Sequence, residues 1–468
     1  MEFSQSLQKL RRIQEEAAQA QERARQAQKA LGRLTARERV DLLYDAGSFV
    51  ELDALAREGN ALCGWGLVDQ RPVYVVAQDA AQGGGAMSSQ QARKIVKTLD
   101  MAERAQAAIV LMPDSAGAQV SEGAAMLAGY ASVFARLAQL RGVVPIMALL
   151  AGAATGISSQ FAALSDVAVA VEGAAVVMPF PATVQNAVQG TAKDAKELGG
   201  AKALSAKGIA ALTAPDENAA IGLVQQLLDL LPESGAPYVE EAELNRLLAA
   251  PHADMPALLH DLLDPGTALP LFADWRKGCH TWLGRMGGYS VGVVATDPTQ
   301  DGGRLDAFAC DKIARLVSLC DAFGLPVITV LDSEGLAVPT HEGQAWLMTA
   351  SARMLSAYAQ ATAGKLALIT GNAVGAAYVN FAGQAMADTT LAWPGAYIAP
   401  LTRQAAAQAF ELERLKDEER GQLEQEQADA ADAFEAARQG LVDQVIDPAE
   451  SRKHLIAALE LLNAADWA

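Results

Sequence analysis

Apolar residues in this chain fall into two kinds of pattern. One is the short unbroken run of Val, Ile, Leu and Ala. Val73–Ala77, Ala108–Met112, Val144–Leu150 and Val167–Val171 are runs of this kind and predict buried strands. The other is a longer stretch in which apolar positions recur every three or four residues. Ser88–Arg104 and Glu122–Leu140 carry this spacing and predict helices between the strands. The order strand–helix–strand from Gly66 onward predicts an α/β fold. Ahead of it, residues 4–32 contain no Pro and a single Gly at 32. There Leu7, Leu10, Ile13 and Ala17 form a narrow apolar stripe, which predicts a long amphipathic helix with solvated polar faces. A second charged stretch, Glu411–Glu435, is rich in Glu, Gln, Lys and Ala and predicts a further solvated helix.

The pattern occurs twice. Asp79 and Lys94 are matched by Asp297 and Lys312, and Asp114-Ser115-Ala116-Gly117 by Asp332-Ser333-Glu334-Gly335, all at an offset of 218 residues. Gly66 and Gly284 share that offset, and Gly156 and Gly375 differ from it by one. Landmarks held in register within matching strand and helix contexts predict two homologous domains. They are expected at residues 1–245 and 246–468, joined in the stretch from about Pro232 to Pro256.

Composition narrows the function. With 468 residues and about 150 residues per domain as a prior, the chain is long enough for two to four domains. Aromatics make up 5%, so the core must be built from small and branched aliphatic residues with many of the 39 Gly. The net charge of −18, with no basic tract, excludes a nucleic-acid binder, which needs clustered Lys and Arg. The four cysteines (63, 279, 310 and 320) form no CxxC pair and are expected to be buried, reduced thiols; no metal site is expected. The polar N-terminus is not a secretory signal. The longest apolar run, Val143–Ile157, falls short of the roughly 20 residues of a membrane span, so a cytoplasmic protein is expected.

No GxSxG elbow, HExxH motif or Walker loop is present. His341-Glu342 reads as a surface pair. The chemistry is instead expected where Gly- and Ala-rich segments join a strand to a helix, at Leu149–Ser158, followed by a helical stretch to Leu164, and at Leu368–Ala377, followed by a helical stretch to about Met386. The first N–H groups of a helix lack partners within it and carry the positive end of its dipole, so they can stabilise an oxyanion. A third segment, Asp114–Gly123, with its counterpart Asp332–Leu336, also precedes a helix, and its Asp and Ser are expected to cap that helix.

Further motifs accompany these segments: Leu34-Thr35-Ala36-Arg37-Glu38-Arg39-Val40, Asp45-Ala46-Gly47-Ser48-Phe49-Val50-Glu51, Glu197-Leu198-Gly199-Gly200-Ala201, Cys320–Pro326, Ala392-Trp393-Pro394 and Gly440-Leu441-Val442-Asp443. With them the chain resembles the carboxyltransferase subunits of biotin-dependent acyl-CoA carboxylases and decarboxylases, over almost its whole length. The resemblance implies two tandem crotonase-like domains, the first on the acyl-CoA side and the second on the biotin side. It implies transfer of a carboxyl group between N1-carboxybiotin and the alpha carbon of a short acyl-CoA. Biotin would arrive on a separate carrier protein, with a separate biotin carboxylase subunit. The smallest active unit would be a homodimer whose sites lie between subunits, and hexamers are common in the family.

By the same resemblance, Gly156 and Ile157 are the N-domain oxyanion amides and Ala376 and Ala377 the C-domain pair. Gly117, Ala118, Gly335, Gly375 and Val379 would line the substrate. This chain departs from the family pattern at Ile157, where Gly is usual, at Ala376 in a Tyr-Gly-Gly-Ala-Tyr segment, at Gln119, where Arg is usual, and at Tyr397, where Glu is usual. An acyl-CoA decarboxylase alpha subunit and a biotin-independent CoA-thioester enzyme are the alternative readings, followed by a non-catalytic scaffold subunit.

Overall fold

The computed structural model describes residues 3–56, 61–178, 195–231, 239–249, 254–410 and 417–465. The chain forms two compact units, Met1–Asp229 and Leu230–Ala468. Residues 239–249 thus go with the second unit, ahead of the boundary expected at 245/246. Arg246 bonds to Asp261, and the Leu248 N–H donates to the Ala449 carbonyl, which ties this stretch to the second unit. Part of the expected join, residues 232–238 and 250–253, lies outside the described residues, as do residues 411–416 of the second charged stretch.

The first unit contains β1 (Val50–Glu51), β2 (Ala61–Val68), β3 (Arg71–Gln78), β4 (Ala108–Met112), β5 (Ile146–Leu150), β6 (Ala153–Thr155), β7 (Val167–Val171), β8 (Ala175–Val177) and β9 (Leu212–Ala214). Its main sheet runs β1-β2-β3-β4-β5-β7-β9, antiparallel through β3 and parallel beyond it. The short strands β6 and β8 pair separately, in parallel. The second unit contains β10 (Leu269–Leu271), β11 (Cys279–Met286), β12 (Tyr289–Thr296), β13 (Val327–Ser333), β14 (Lys365–Val374), β15 (Thr389–Ala392), β16 (Tyr397–Ala399) and β17 (Gln444–Val445). Its sheet repeats the order as β10-β11-β12-β13-β14-β15-β17, and β16 pairs with the far end of β14.

The sequence repeat is a repeat of hydrogen-bond register. Trp65 faces Tyr74 and Leu283 faces Gly292; Tyr74 pairs with Ile109 and Gly292 with Val327; the bridge Met87–Ala118 recurs as Leu305–Leu336. All keep the offset of 218. From β5 and β14 onward it becomes 219, since Ile109 pairs with Ile146 but Val327 with Lys365. One extra residue before β14 explains the drift seen between Gly156 and Gly375. The repeated lysines are buried staples: Lys94 Nζ donates to the Ala61 carbonyl at 3.1 Å, and Lys312 Nζ to that of Cys279 at 2.6 Å.

Each sheet is covered by a helix that follows its hairpin. Ser89–Arg104 buries Ala92, Ile95, Leu99 and Ala102 against β2 and β3, and Ala307–Ala322 buries Ile313, Leu316, Val317 and Cys320 against β11 and β12. This three- and four-residue spacing puts one apolar stripe on the sheet. The helices Ala124–Leu140 and Gln344–Gln360 pack beside them. The N-terminal helix, Phe3–Ala30, matches its expected span and is solvated, with Gln28 its buried residue. A capping box then starts the helix Ala36–Leu43: the Glu38 N–H donates to Thr35 Oγ1, and the Thr35 N–H to the Glu38 carboxylate. The charged stretch near the C-terminus contains the helices Asp417–Ala430 and Ala433–Arg438. No described helix is long and apolar enough to cross a membrane.

Candidate active site

In the first unit, β6 ends at Thr155 and the chain turns directly into a short 3-10 segment, Gly156–Ser159, followed by the helix Gln160–Leu164. No side chain caps this start. The amides of Gly156 and Ile157 therefore stand at the head of the segment without an acceptor inside it. The Ile157 side chain is 43% exposed, so the bulk that replaces the family's usual Gly is at the surface. The segment after β4 crosses the turn. The Ser115 N–H donates to the Ala153 carbonyl (2.6 Å) and the Thr155 N–H to that of Ser115 (3.2 Å). This places Gly117 over Thr155: a Cβ on Gly117 would stand 3.3 Å from the Thr155 carbonyl oxygen. Ala118 bridges to Met87 beside it.

The second unit rebuilds the same turn. β14 ends at Val374, Gly375 adopts φ +52°, and the helix Ala376–Phe381 begins without a side-chain cap. Only a residue without a Cβ adopts that conformation freely. The Ala376 and Ala377 amides head this helix and lack acceptors within it. Gly335 lies against the turn: a Cβ there would be 3.2 Å from the Val374 carbonyl oxygen and 4.0 Å from the Ala376 nitrogen. The glycine keeps open the space in front of that amide. Val379, one turn along, is 58% exposed. The structure thus joins Gly117 and Ala118 to the Gly156–Ile157 turn, and Gly335 to Gly375, Ala376 and Ala377.

Three expectations need correction. Asp114 and Ser115 do not cap the next helix, which begins only at Ala124 after a turn at Val120–Glu122. Instead, Asp114 is buried beside the strand that leads into the Gly156–Ile157 turn. One carboxylate oxygen accepts the Ala153 N–H (3.2 Å), and the other accepts from Arg33 (2.7 Å) and Arg39 (3.0 Å). Arg39 also bonds to Glu217 at 2.5 Å, and Glu217 accepts the Leu34 N–H. Burial works against the Arg39 charge, but its bonds to Glu217 and Asp114 more than offset this and hold its proton more tightly than usual. Secondly, β14 runs on through Gly371 to Val374, because Asn372, Ala373 and Val374 pair with β16. Thirdly, the helix after Gly375 stops at Phe381 rather than near Met386, and the Gly383 N–H turns back to the Tyr378 carbonyl. Asp332 sits as Asp114 does, accepting the Asn372 N–H (2.8 Å) and side-chain amide (3.0 Å).

The remaining chemistry-bearing residues stay away from the turns or lack reactivity. His341 and Glu342 are exposed. All four thiols are free and buried, and burial pushes Cys63 and Cys310 up to about 12 and Cys279 to about 11. Among the described residues no cluster of His, Cys, Asp and Glu could hold a metal ion. Gln119 donates its backbone N–H to the Met87 carbonyl, and Tyr397 is buried with its hydroxyl on the Leu401 carbonyl. A groove of about 710 Å³ between the helices Ser89–Arg104 and Ala124–Leu140 contains none of the turn residues. Arg33, Arg39, Glu217 and Asn372 were missed by sequence reasoning. The family-like run Leu34–Val40 was the available signal for Arg39.

Residues 27–466 match the family model described as the carboxyl transferase domain. The chain is 36% identical to the propionyl-CoA carboxylase beta chain of Saccharopolyspora erythraea, covering 97% of this chain and 92% of that one. It is 31% identical to the methylmalonyl-CoA decarboxylase subunit alpha of Propionigenium modestum, over 93% and 91%. Its fold superposes on the transcarboxylase 12S crystal structure, a hexamer with hydrolysed methylmalonyl-coenzyme A bound, with a TM-score of 0.89 and 30% identity over 97% of this chain and 96% of that one. The two like-ordered units are therefore crotonase-like halves, as the family resemblance implied. The chain belongs to the carboxyl transferase domain family and is an acyl-CoA carboxyltransferase of the biotin-dependent class.

Proposed function

We propose that the chain moves a carboxyl group between carrier-bound biotin and the alpha carbon of a short acyl-CoA, using backbone amides in both halves. The observation that carries this reading is the duplicated turn. In the two corresponding turns, where Gly156 matches Gly375 and Ile157 matches Ala376, the pairs Gly156–Ile157 and Ala376–Ala377, one residue out of register with each other, present amides without capping side chains, and Gly117 and Gly335 lie against the respective turns. When the alpha proton of a thioester leaves, negative charge develops on the thioester oxygen. The Gly156 and Ile157 amides donate to that oxygen. Fixed amides oriented toward developing charge contribute about 2.7–4 kcal/mol each.

Biotin, when bound, supplies the carboxyl group and a ureido oxygen that takes up charge. The second unit fits it: the Gly335 position, which a Cβ would crowd, leaves the Ala376 amide accessible. Ala376 and Ala377 hold that oxygen, and Val379 and Gly375 border the same site. In the first unit Gly117 and Ala118 line the thioester. The first unit is the acyl-CoA side and the second the biotin side. The homodimer is the smallest working unit, each site drawing on two protomers, and the hexamer is the full assembly. A biotin carrier and a biotin carboxylase complete a cytoplasmic complex in the carboxylating direction.

Purified protein, free biotin and malonyl-, methylmalonyl- or glutaconyl-CoA test this together. Release of CO2 that depends on biotin is expected. Turnover that biotin does not change would identify a biotin-independent thioester enzyme. Absence of turnover with every thioester, in an assay where a relative works, would overturn the reading.

A further inference from the structure

The two oxyanion turns share a device that backbone amides alone do not explain. In each half, the strand leading into the turn takes a two-residue detour relative to its neighbour. Leu331 pairs with Ile369, but Ser333 pairs with Ala373, so β14 spends four residues where β13 spends two. In the first unit, Leu111 pairs with Ala148 and Ser115 bridges Ala154, which repeats the surplus of two. A bulge of this kind re-aims the strand and leaves an amide outside the ladder. A buried amide without an acceptor is costly. In both halves an aspartate on the neighbouring segment accepts it: Asp114 takes the Ala153 N–H and Asp332 the Asn372 N–H. The residue before each amide is Gly152 or Gly371, and a Cβ on either would collide with the carboxylate.

The bulge ends two to four residues ahead of the working amides. From Asn372 the chain is clamped on one side by Ser333 opposite Ala373. On the other side β16 holds Asn372 to Val374, and the Gly375 N–H donates to the Ala399 carbonyl (2.9 Å). The Asn372 N–H bond to Asp332 and the Gly375 N–H bond to Ala399 thus bracket the stretch that leads to Ala376. We propose that Asp332 and Asp114 are positioning residues that fix the aim of the Ala376–Ala377 and Gly156–Ile157 amides by closing the bulge before each turn. The proposal rests on the amide-based reading of the chemistry.

Asp332 gives the cleaner test, since its carboxylate closes the bulge through Asn372 while Asp114 also carries two arginines. Asp332→Ala and Asp332→Asn are compared with wild type in biotin-dependent decarboxylation. A displacement near 1 Å at a reacting group costs about 10²-fold in rate. Asp332→Ala is therefore expected to lower kcat by about that factor with KM for the acyl-CoA unchanged. Asp332→Asn keeps an acceptor oxygen and should recover kcat to within about fivefold of wild type. Crystal structures of wild type and both variants give a readout that needs no turnover. In Asp332→Ala the Ala376 and Ala377 nitrogens should shift by about 1 Å, and in Asp332→Asn they should stay in place. Unmoved amides in Asp332→Ala, or wild-type kcat in that variant, overturn the proposal. Wild-type protein that lacks biotin-dependent turnover while its amides shift as expected in Asp332→Ala overturns the functional reading alone.

Discussion

Asp114 and Asp332 occupy the same place in two copies of one fold, yet their surroundings differ. Asp114 lies in a buried four-charge cluster with Arg33, Arg39 and Glu217, whose partners come from the N-terminal segment and from the helix Glu217–Leu230. Asp332 meets an asparagine instead. The bond to the bulge amide is common to both, and the charge cluster belongs to the first unit alone. The comparison separates what the bulge before each turn shares, an acceptor oxygen, from what one unit adds: a tie between its Gly156 turn, the N-terminal segment and the helix Glu217–Leu230.

The largest effect should come from breaking that tie. Arg39→Met leaves Asp114 and Glu217 buried with one partner fewer, and loss of one member of a buried ion pair costs about 3–5 kcal/mol. Denaturant unfolding should show a drop of this order for Arg39→Met, whereas Asn372→Ala in the second unit should cost about 1 kcal/mol, the range of one hydrogen bond. Equal losses would mean that the cluster adds nothing to the shared clamp.

Next in size is Ala376→Pro. Proline is tolerated at the first position of a helix, so the fold should survive while one donor disappears. A fall in kcat of about 10²–10³-fold is expected. An unchanged kcat would restrict the chemistry to the first unit's turn.

A smaller effect concerns pH. Asp166 accepts the Ile146 N–H at the base of β5, and Asp388 accepts the Lys365 N–H at the base of β14, again in equivalent places. Asp388 is exposed, but Asp166 is largely buried. Burial pushes the Asp166 carboxyl up to about 6, against the opposing pull of the Ile146 N–H and Arg141. A carboxyl whose folded pKa is raised opposes folding when ionised. That cost is complete above about pH 6 and disappears as pH falls toward about 4, and a two-unit shift sets its ceiling at about 3 kcal/mol. Asp166→Asn should therefore be more stable than wild type at pH 8, with the gap closing by pH 4.

The smallest effect lies outside the clamps. Lys97 and Asp53 form an exposed pair at 2.7 Å, for which Lys97→Ala should cost about 0.2–1 kcal/mol, less at high salt. A larger loss would point to a role for that face beyond stability.

Much of this was legible in the sequence, because the informative signals were local or repeated. Unbroken aliphatic runs located β4 and β7 to the residue, and the helix Ser89–Arg104 to within one. The constant offset carried the duplicated register, since paired strands cannot slip by one residue without turning their side chains over. The clamps were not legible. Asp114 and Ser115 precede a helical stretch, so a local reading makes them caps. The partners that give Asp114 its role lie 81 and 75 residues earlier. The extension of β14 to Val374 depends on β16, another non-local partner. The two turns at Gly156 and Gly375 were legible because small residues between strand and helix are themselves a local pattern.

Turns whose working atoms are peptide N–H groups have an unusual vulnerability. Such groups cannot be alkylated, acylated or oxidised, and they do not ionise in the range where enzymes operate. Reagents that silence thiol or histidine enzymes should leave this chemistry intact. Damaging substitutions should concentrate where an amide is removed, by proline at Ala376 or Ala377, or where the backbone is forced to move, by a side chain added at Gly335 or Gly371. Positions 157 and 376 are free to vary in what they project toward a ligand. On the proposed reading, that freedom lets isoleucine at 157 and alanine at 376 stand where the family usually has glycine without removing a backbone donor.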